Sequence, residues 1–195
     1  AILETTTMRL MGRDYYVLDV INGTTNKTTF LDSANSAIVT EGQTSTVAGR
    51  SVGINYISST ETRLDVDGTV TNSLVEGATF KLPDGTYVGI KDILYDSKEA
   101  GISKVEISIG TGKLEVDSGS AVELNDDSVE EIIGFLVQDG SEKLDKIVLM
   151  WSTDEEEFIT PASSLTMPAF EALKLSMTAH TFPAQEETTV KGGGS

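Results

Sequence analysis

The chain is predicted to be an all-β protein built from antiparallel hairpins in a β-sandwich or barrel-like arrangement, and two features carry that expectation. From Leu74 to Val129, apolar and polar residues alternate and are interrupted at short intervals by Asp-Gly, Gly-x-Gly and Ser-Gly-Ser turns. Val105, Ile107 and Ile109 alternate with Lys104, Glu106 and Ser108, which sets one face of a strand on a core and the other in water. The second feature is the scarcity of helix signals. Asp126 and Asp127 could cap a turn over Ser128-Val129-Glu130-Glu131-Ile132-Ile133, but Gly134 interrupts it within two turns. Asp96 to Gly101 has room for one short turn. Parallel βαβ units have no room for their helices.

In chain order, Tyr15 to Val20 is rich in aromatic and β-branched residues and ends at Asn22-Gly23, a strong two-residue hairpin signal, with Thr28 to Leu31 returning. Leu64 and Val66 alternate with Arg63 and Asp65 before Asp67-Gly68 turns the chain toward Val70. Pro83-Asp84-Gly85 closes a hairpin between Phe80–Leu82 and Tyr87–Ile90. Lys113 to Val116, then Val122 and Leu124, repeat the alternation. Asp139-Gly140 separates Phe135–Val137 from Lys146–Trp151, and Leu173, Leu175 and Met177 form one face of a late strand. Thr7 to Val17 aligns loosely with Thr44 to Ile54, each a pair of strands around a Gly-containing turn. The expected organisation is one β-module over residues 1–187 followed by a C-terminal linker or tag, 188–195. Two stacked β-lobes meeting near 96–103 are the alternative.

Composition narrows the partners. The 195 residues carry 14 Lys and Arg against 31 Asp and Glu, a formal charge of -17. Nucleic acid and anionic membrane surfaces are disfavoured partners for such a chain; cations and basic groups suit it. With Cys absent, disulfides, thiolate metal sites and cysteine nucleophiles are excluded. No apolar run reaches the roughly 18 residues of a membrane span, so direct membrane insertion of this segment is not expected. The start, Ala1-Ile2-Leu3-Glu4, shows no export signal, and Gly192-Gly193-Gly194-Ser195 reads as a linker, so the chain reads as a segment of a larger protein.

Catalytic signals are weak. His180 is the only histidine, and no nucleophile elbow accompanies it. Gly110-Thr111-Gly112 lacks the third glycine and the helix of a phosphate loop. Paired carboxylates of a glycosidase would come from distant strands, and sparse aromatics leave few platforms for sugars. The acidic clusters around Asp126 and Asp127 and around Asp154 and Glu155 offer oxygen ligands of the kind Ca²⁺ takes, but without EF-hand spacing they read first as solvated loops. Asn22-Gly23-Thr24 and Asn26-Lys27-Thr28 are glycosylation sequons in the first hairpin loop.

The segments "MRLMGRDYYVLDV" from Met8, "EGATFKLPDGTYVGIKDIL" from Glu76, "GTGKLEVDSGSAVELNDD" from Gly110 and "KLDKIVLMW" from Lys143 occur in an order that resembles archaeal surface-layer (S-layer) proteins, methanogen-type and related. The likeness spans about Met8 to Thr178. It implies an all-β, extracellular, non-enzymatic coat protein that self-associates into a homo-oligomeric lattice, with cations as partners and the two sequons glycosylated. The alternatives are a secreted adhesin or glycan-binding β-sandwich, in which Tyr87, Tyr95 and Trp151 would converge, and an acidic hydrolase.

Overall fold

The computed structural model describes residues 4, 6–97, 101–140 and 143–179, and every regular element among them is a β-strand. The chain divides into two compact units, Ala1–Asp154 and Glu155–Ser195. His180 and the linker at 188–195 lie outside the described residues.

The first unit holds three antiparallel sheets. The largest takes β1 (Thr7–Leu10), β2 (Arg13–Ile21), β3 (Lys27–Asp32), β12 (Gly112–Asp117), β13 (Ala121–Leu124), β14 (Asp127–Gln138) and β15 (Leu144–Trp151), in that spatial order. The second has the order β4 (Asn35–Thr40), β11 (Lys104–Gly110), β10 (Tyr87–Leu94) and β9 (Thr79–Lys81). The third runs β5 (Thr44–Val47), β6 (Arg50–Ile57), β7 (Thr62–Val66) and β8 (Thr69–Val70).

The four-stranded sheet containing β10 and β11 is the middle layer. Its register places Val88, Ile90, Ile107 and Ile109 on one face, where they share a core with Val47, Val52, Leu64 and Val66 of the third sheet. On the opposite face Tyr87 joins Tyr16, Leu18 and Leu31 of the seven-stranded sheet. That second face is lined by small residues, Gly89, Gly110, Ser108 and Ser36, because the sheets approach closely there. A Cβ on Gly89 would lie 2.5 Å from a Leu18 methyl, and one on Gly110 would lie 2.9 Å from the Asp32 carbonyl oxygen.

The expected water-facing side of β11 is corrected by this layering. Lys104 is exposed and Glu106 half-buried, but Ser108 is 0 % exposed. Its hydroxyl shares a 2.7 Å hydrogen bond with that of Ser36, which satisfies two polar groups between the sheets. β10 and β11, which flank the alternative lobe boundary near 96–103, pair with each other from Tyr87↔Gly110 to Leu94↔Lys104.

On its other face the seven-stranded sheet curls over a separate core that includes Tyr15, Val17, Phe30, Leu114, Val116 and Val122. Tyr15 and Phe30 meet edge to face with ring centroids 6.2 Å apart. Bulges in the pairings of β2 with β3 and of β13 with β14 supply curvature.

The bulge in β14 also explains why Ser128–Ile133 imitates a helix. Between Val122 and Ala121 the paired residue jumps from Val129 to Ile133. Val129 and Ile132, three apart, are thereby both buried in one strand.

Two-residue turns in which both residues have positive φ close four hairpins, at Met11-Gly12, Ala48-Gly49, Asp67-Gly68 and Asn125-Asp126. That twist suits antiparallel pairs. The loose repeat is structural: Leu10↔Arg13 and Val47↔Arg50 flank equivalent turns. Asn22-Gly23, in contrast, sits in a five-residue connection, because pairing stops at Ile21↔Lys27.

In the second unit β16 (Ser164–Thr166) pairs with β17 (Lys174–Ser176). The late strand is shorter than expected, and Leu173 and Leu175 are exposed; Met167 and Phe170, between the strands, are the buried apolar residues. A two-stranded ribbon of this length has no buried face of its own.

Substitutions on β11 test the two-sided burial. Ile107→Asp and Ser108→Asp should each lower stability by at least about 3 kcal/mol, since both place a carboxylate between layers. Glu106→Lys should stay within about 0.5 kcal/mol. Urea unfolding measures all three, and a neutral Ser108→Asp would show that the second face is open.

Candidate functional site

The sequence motif Lys113-Leu114-Glu115 puts two charged side chains on one face of β12, and that face meets the middle sheet. Lys113 is buried. Its Nζ lies 2.9 Å from Glu115 Oε2 and 2.5 Å from Asp126 Oδ1. The ammonium also stands 5.8 Å from the centre of the Tyr87 ring, while Lys81 Nζ stands 5.5 Å from the same ring.

Each remaining oxygen has a donor. The Tyr87 hydroxyl donates to Asp126 Oδ2 at 2.8 Å, and Lys81 Nζ donates to the Asn125 carbonyl at 3.1 Å. Lys27 Nζ lies 3.0 Å from Glu115 Oε1, which also accepts from the Thr29 hydroxyl at 3.3 Å. The Lys113 backbone N–H donates to Asn125 Oδ1 at 2.9 Å, and the Asn125 N–H donates to the Lys113 carbonyl at 2.8 Å. Asn125 suits this turn twice over, because it tolerates φ of 57° and its amide caps the neighbouring strand.

Burial alone would raise the Asp126 and Glu115 carboxyls. Hydrogen bonds to Asp126 from Lys113 and Tyr87, and to Glu115 from Lys113 and Lys27, instead hold both below their ordinary values. Burial would lower Lys113, but Asp126 and Glu115 raise it. The Tyr87 phenol is pushed well up by burial, by its bond to Asp126 and by the acidic charges around it. The shifts of Asp126, Glu115, Lys113 and Tyr87 all favour the charge state that each hydrogen bond needs, so the cluster clamps the two sheets together near neutral pH.

The residues expected from sequence fall in different places. Asp126 stands in the clamp, not in an open acidic loop. Asp127 begins β14 on the surface. Asp154 closes the first unit and Glu155 opens the second. Among the described residues no three His, Cys, Asp or Glu side chains are gathered so as to hold a metal ion.

Asn22 is exposed, with its Oδ1 accepting from Gln138 Nε2 at 3.4 Å. Asn26 is half-buried and its Oδ1 is enclosed without a hydrogen-bond partner. Tyr87 is enclosed in the clamp whereas Tyr95 is exposed and Trp151 half-buried at the end of β15, so Tyr87 is unavailable as a sugar platform. The clamp itself was hidden in the sequence, because Lys81, Lys113 and Asp126 come from three separate hairpins.

A second feature of this unit is the β15 edge of the seven-stranded sheet, which pairs with no further strand among the described residues. Ile133↔Met150 and Phe135↔Val148 are direct pairs, so they share a face of the β14–β15 ribbon. Met150 is 50 % and Val148 37 % exposed, while Ile133, Phe135 and Val137 are half-buried.

Lys113→Met should destabilise by about 2–3 kcal/mol, below the 3–5 of a fully buried pair because Asp126 stays partly in water. The lowered carboxyls contribute stability above their ordinary values of 3.8 and 4.5, and this is lost as pH falls through the still lower native values. The raised Lys113 contributes below 10.5, and its share is lost as pH rises through the native value. Melting curves against pH should therefore show a plateau between these limits, with a shallower acid limb in Lys113→Met; an unchanged acid limb would refute the clamp. No family model, no curated protein and no solved structure matches this chain.

Proposed function

We propose that this chain is a structural, non-enzymatic module of an archaeal cell-surface layer, working outside the cell by lateral association with copies of itself into a lattice. The observation that carries the reading is the open β15 edge. An eight-residue edge strand presents unpaired backbone groups beside an apolar face, the arrangement that recruits another strand or sheet. The β1 edge at the opposite end of the sheet is a different surface, so edge-to-edge contact of β15 with β1 would be heterologous, the contact type that builds rings or open arrays. The ordered likeness to S-layer segments and the all-β architecture support the same reading.

Charge sets the conditions. At -17, copies repel one another until ions screen them. The chain should sediment as a monomer at low salt and associate as NaCl or CaCl2 is raised, with ordered arrays in negative-stain micrographs. Val148→Lys with Met150→Glu should abolish association and leave the melting temperature within about 3 °C. Association unchanged in that double variant would contradict assembly through this edge. Glycosylation of an exported chain is expected at Asn22, the exposed sequon, before Asn26; peptide mass spectrometry reads the difference.

A further inference from the structure

The third sheet turns its apolar side chains inward to Ile90 and Ile107, and its outward face carries a polar trough of about 550 Å³. Thr44, Gly53 and Asp65 lie in one row across β5, β6 and β7, with Ser51 in the next row. Gln43, Asn55 and Asp67 also line it, and Gly53 leaves the middle of the row without a side chain.

The lining identifies a class of ligand by elimination. No Lys or Arg lines the trough, which leaves phosphate, sulfate and carboxylate ligands without a counter-charge on an acidic protein. Ile54, the one large apolar residue of the lining, packs inward against the core, which leaves nothing to anchor a lipid or an apolar peptide.

Cations are served poorly as well. Asp67 is already engaged through both oxygens, by the Ser51 N–H at 2.8 Å and by Arg50 at 3.1 Å. Asp65 Oδ1 accepts the Gly68 N–H at 2.8 Å. Asp65 Oδ2 and the side-chain amides of Gln43 and Asn55 stay unengaged among the described residues, as do the Thr44 and Ser51 hydroxyls. Single acceptors interleaved with amides that both donate and accept match vicinal hydroxyl groups. The next outward-facing row beyond Gly53 and Asp65 pairs Tyr56 with Arg63, and Tyr56 is 46 % exposed with the guanidinium 5.9 Å from its ring centre. An exposed ring at the end of a hydroxyl-matching trough is a stacking surface for a second sugar unit.

We propose that this trough is a binding site for a neutral oligosaccharide, read from Gln43, Asn55 and Asp65 over the bare floor at Gly53. The site uses neither the β15 edge nor the Lys113 clamp, and so stands independently of assembly.

Gly53 gives a clean test. A Cβ there would sit 3.9 Å from the Gln43 carbonyl oxygen and from Thr44 Oγ1, an ordinary contact. Gly53→Ile therefore fills the trough without a clash, and a β-branched residue in a strand should hold or raise the melting temperature. The full chain, labelled for amide NMR, is titrated with maltotetraose, mannotriose and chitotriose, then with a sulfated oligosaccharide and spermine. At least one neutral probe should shift the amides of Gly53, Asn55 and Gly68. Gly53→Ile should weaken that probe by at least about tenfold, and Asn55→Ala by several-fold. Silence from all three neutral probes, binding by the sulfated probe or spermine alone, or undiminished binding by Gly53→Ile would each overturn the proposal.

Discussion

Close approach across both faces of one sheet is the constraint from which the first unit follows. A strand covered on two sides has no solvated face, so β10 and the second half of β11 are buried continuously from Tyr87 to Ile90 and from Ile107 to Gly110. Large apolar residues fill the side toward the third sheet. The side toward the seven-stranded sheet has space for Gly89, Gly110, Ser36 and Ser108, and the Leu18 and Leu31 side chains occupy the volume those residues leave. Size complementarity of this kind makes the layers interdependent, since added volume on one displaces the other.

Where that interface reaches its polar margin, hydrophobic packing gives way to the Lys113 clamp. Lys113 and Glu115 arrive from β12, Asp126 from the turn before β14, and Lys81 and Tyr87 from the middle sheet. Burying an ammonium is costly, and two carboxylates and an aromatic face offset that cost only in a narrow geometry. The clamp is thus better understood as a device that fixes the register of two sheets than as a large source of stability. The surfaces proposed to engage partners lie elsewhere in the unit, on the β15 edge and over the outward face of β5 to β7.

Much of the strand pattern was legible because hairpins are local. Pro83-Asp84-Gly85 and Asp67-Gly68 turn where their residue types require, and Val105, Ile107 and Ile109 face a core as their spacing implies. The errors share a physical origin in long-range pairing. Ser108 reads as a water-facing residue until the seven-stranded sheet covers it. Asn22-Gly23 reads as a two-residue hairpin turn until the pairing of β2 with β3 stops at Ile21↔Lys27. The partners of Asp126 are illegible because nothing local announces Lys113 or Tyr87. The trough is illegible for a similar reason: Gln43 precedes β5 while Asn55 and Asp65 lie on β6 and β7, and the signal that joins them is register.

Native-state hydrogen exchange is the most direct measure of the layered arrangement. Amides of β10 and β11, from Val88 to Ile90 and from Val105 to Ile109, should exchange only with global unfolding, with the same free energy and denaturant dependence as the urea transition. The β15 edge should open locally at much lower free energy. Exchange of the β10–β11 amides through local opening, as freely as those of β15, would contradict a middle sheet enclosed on both faces.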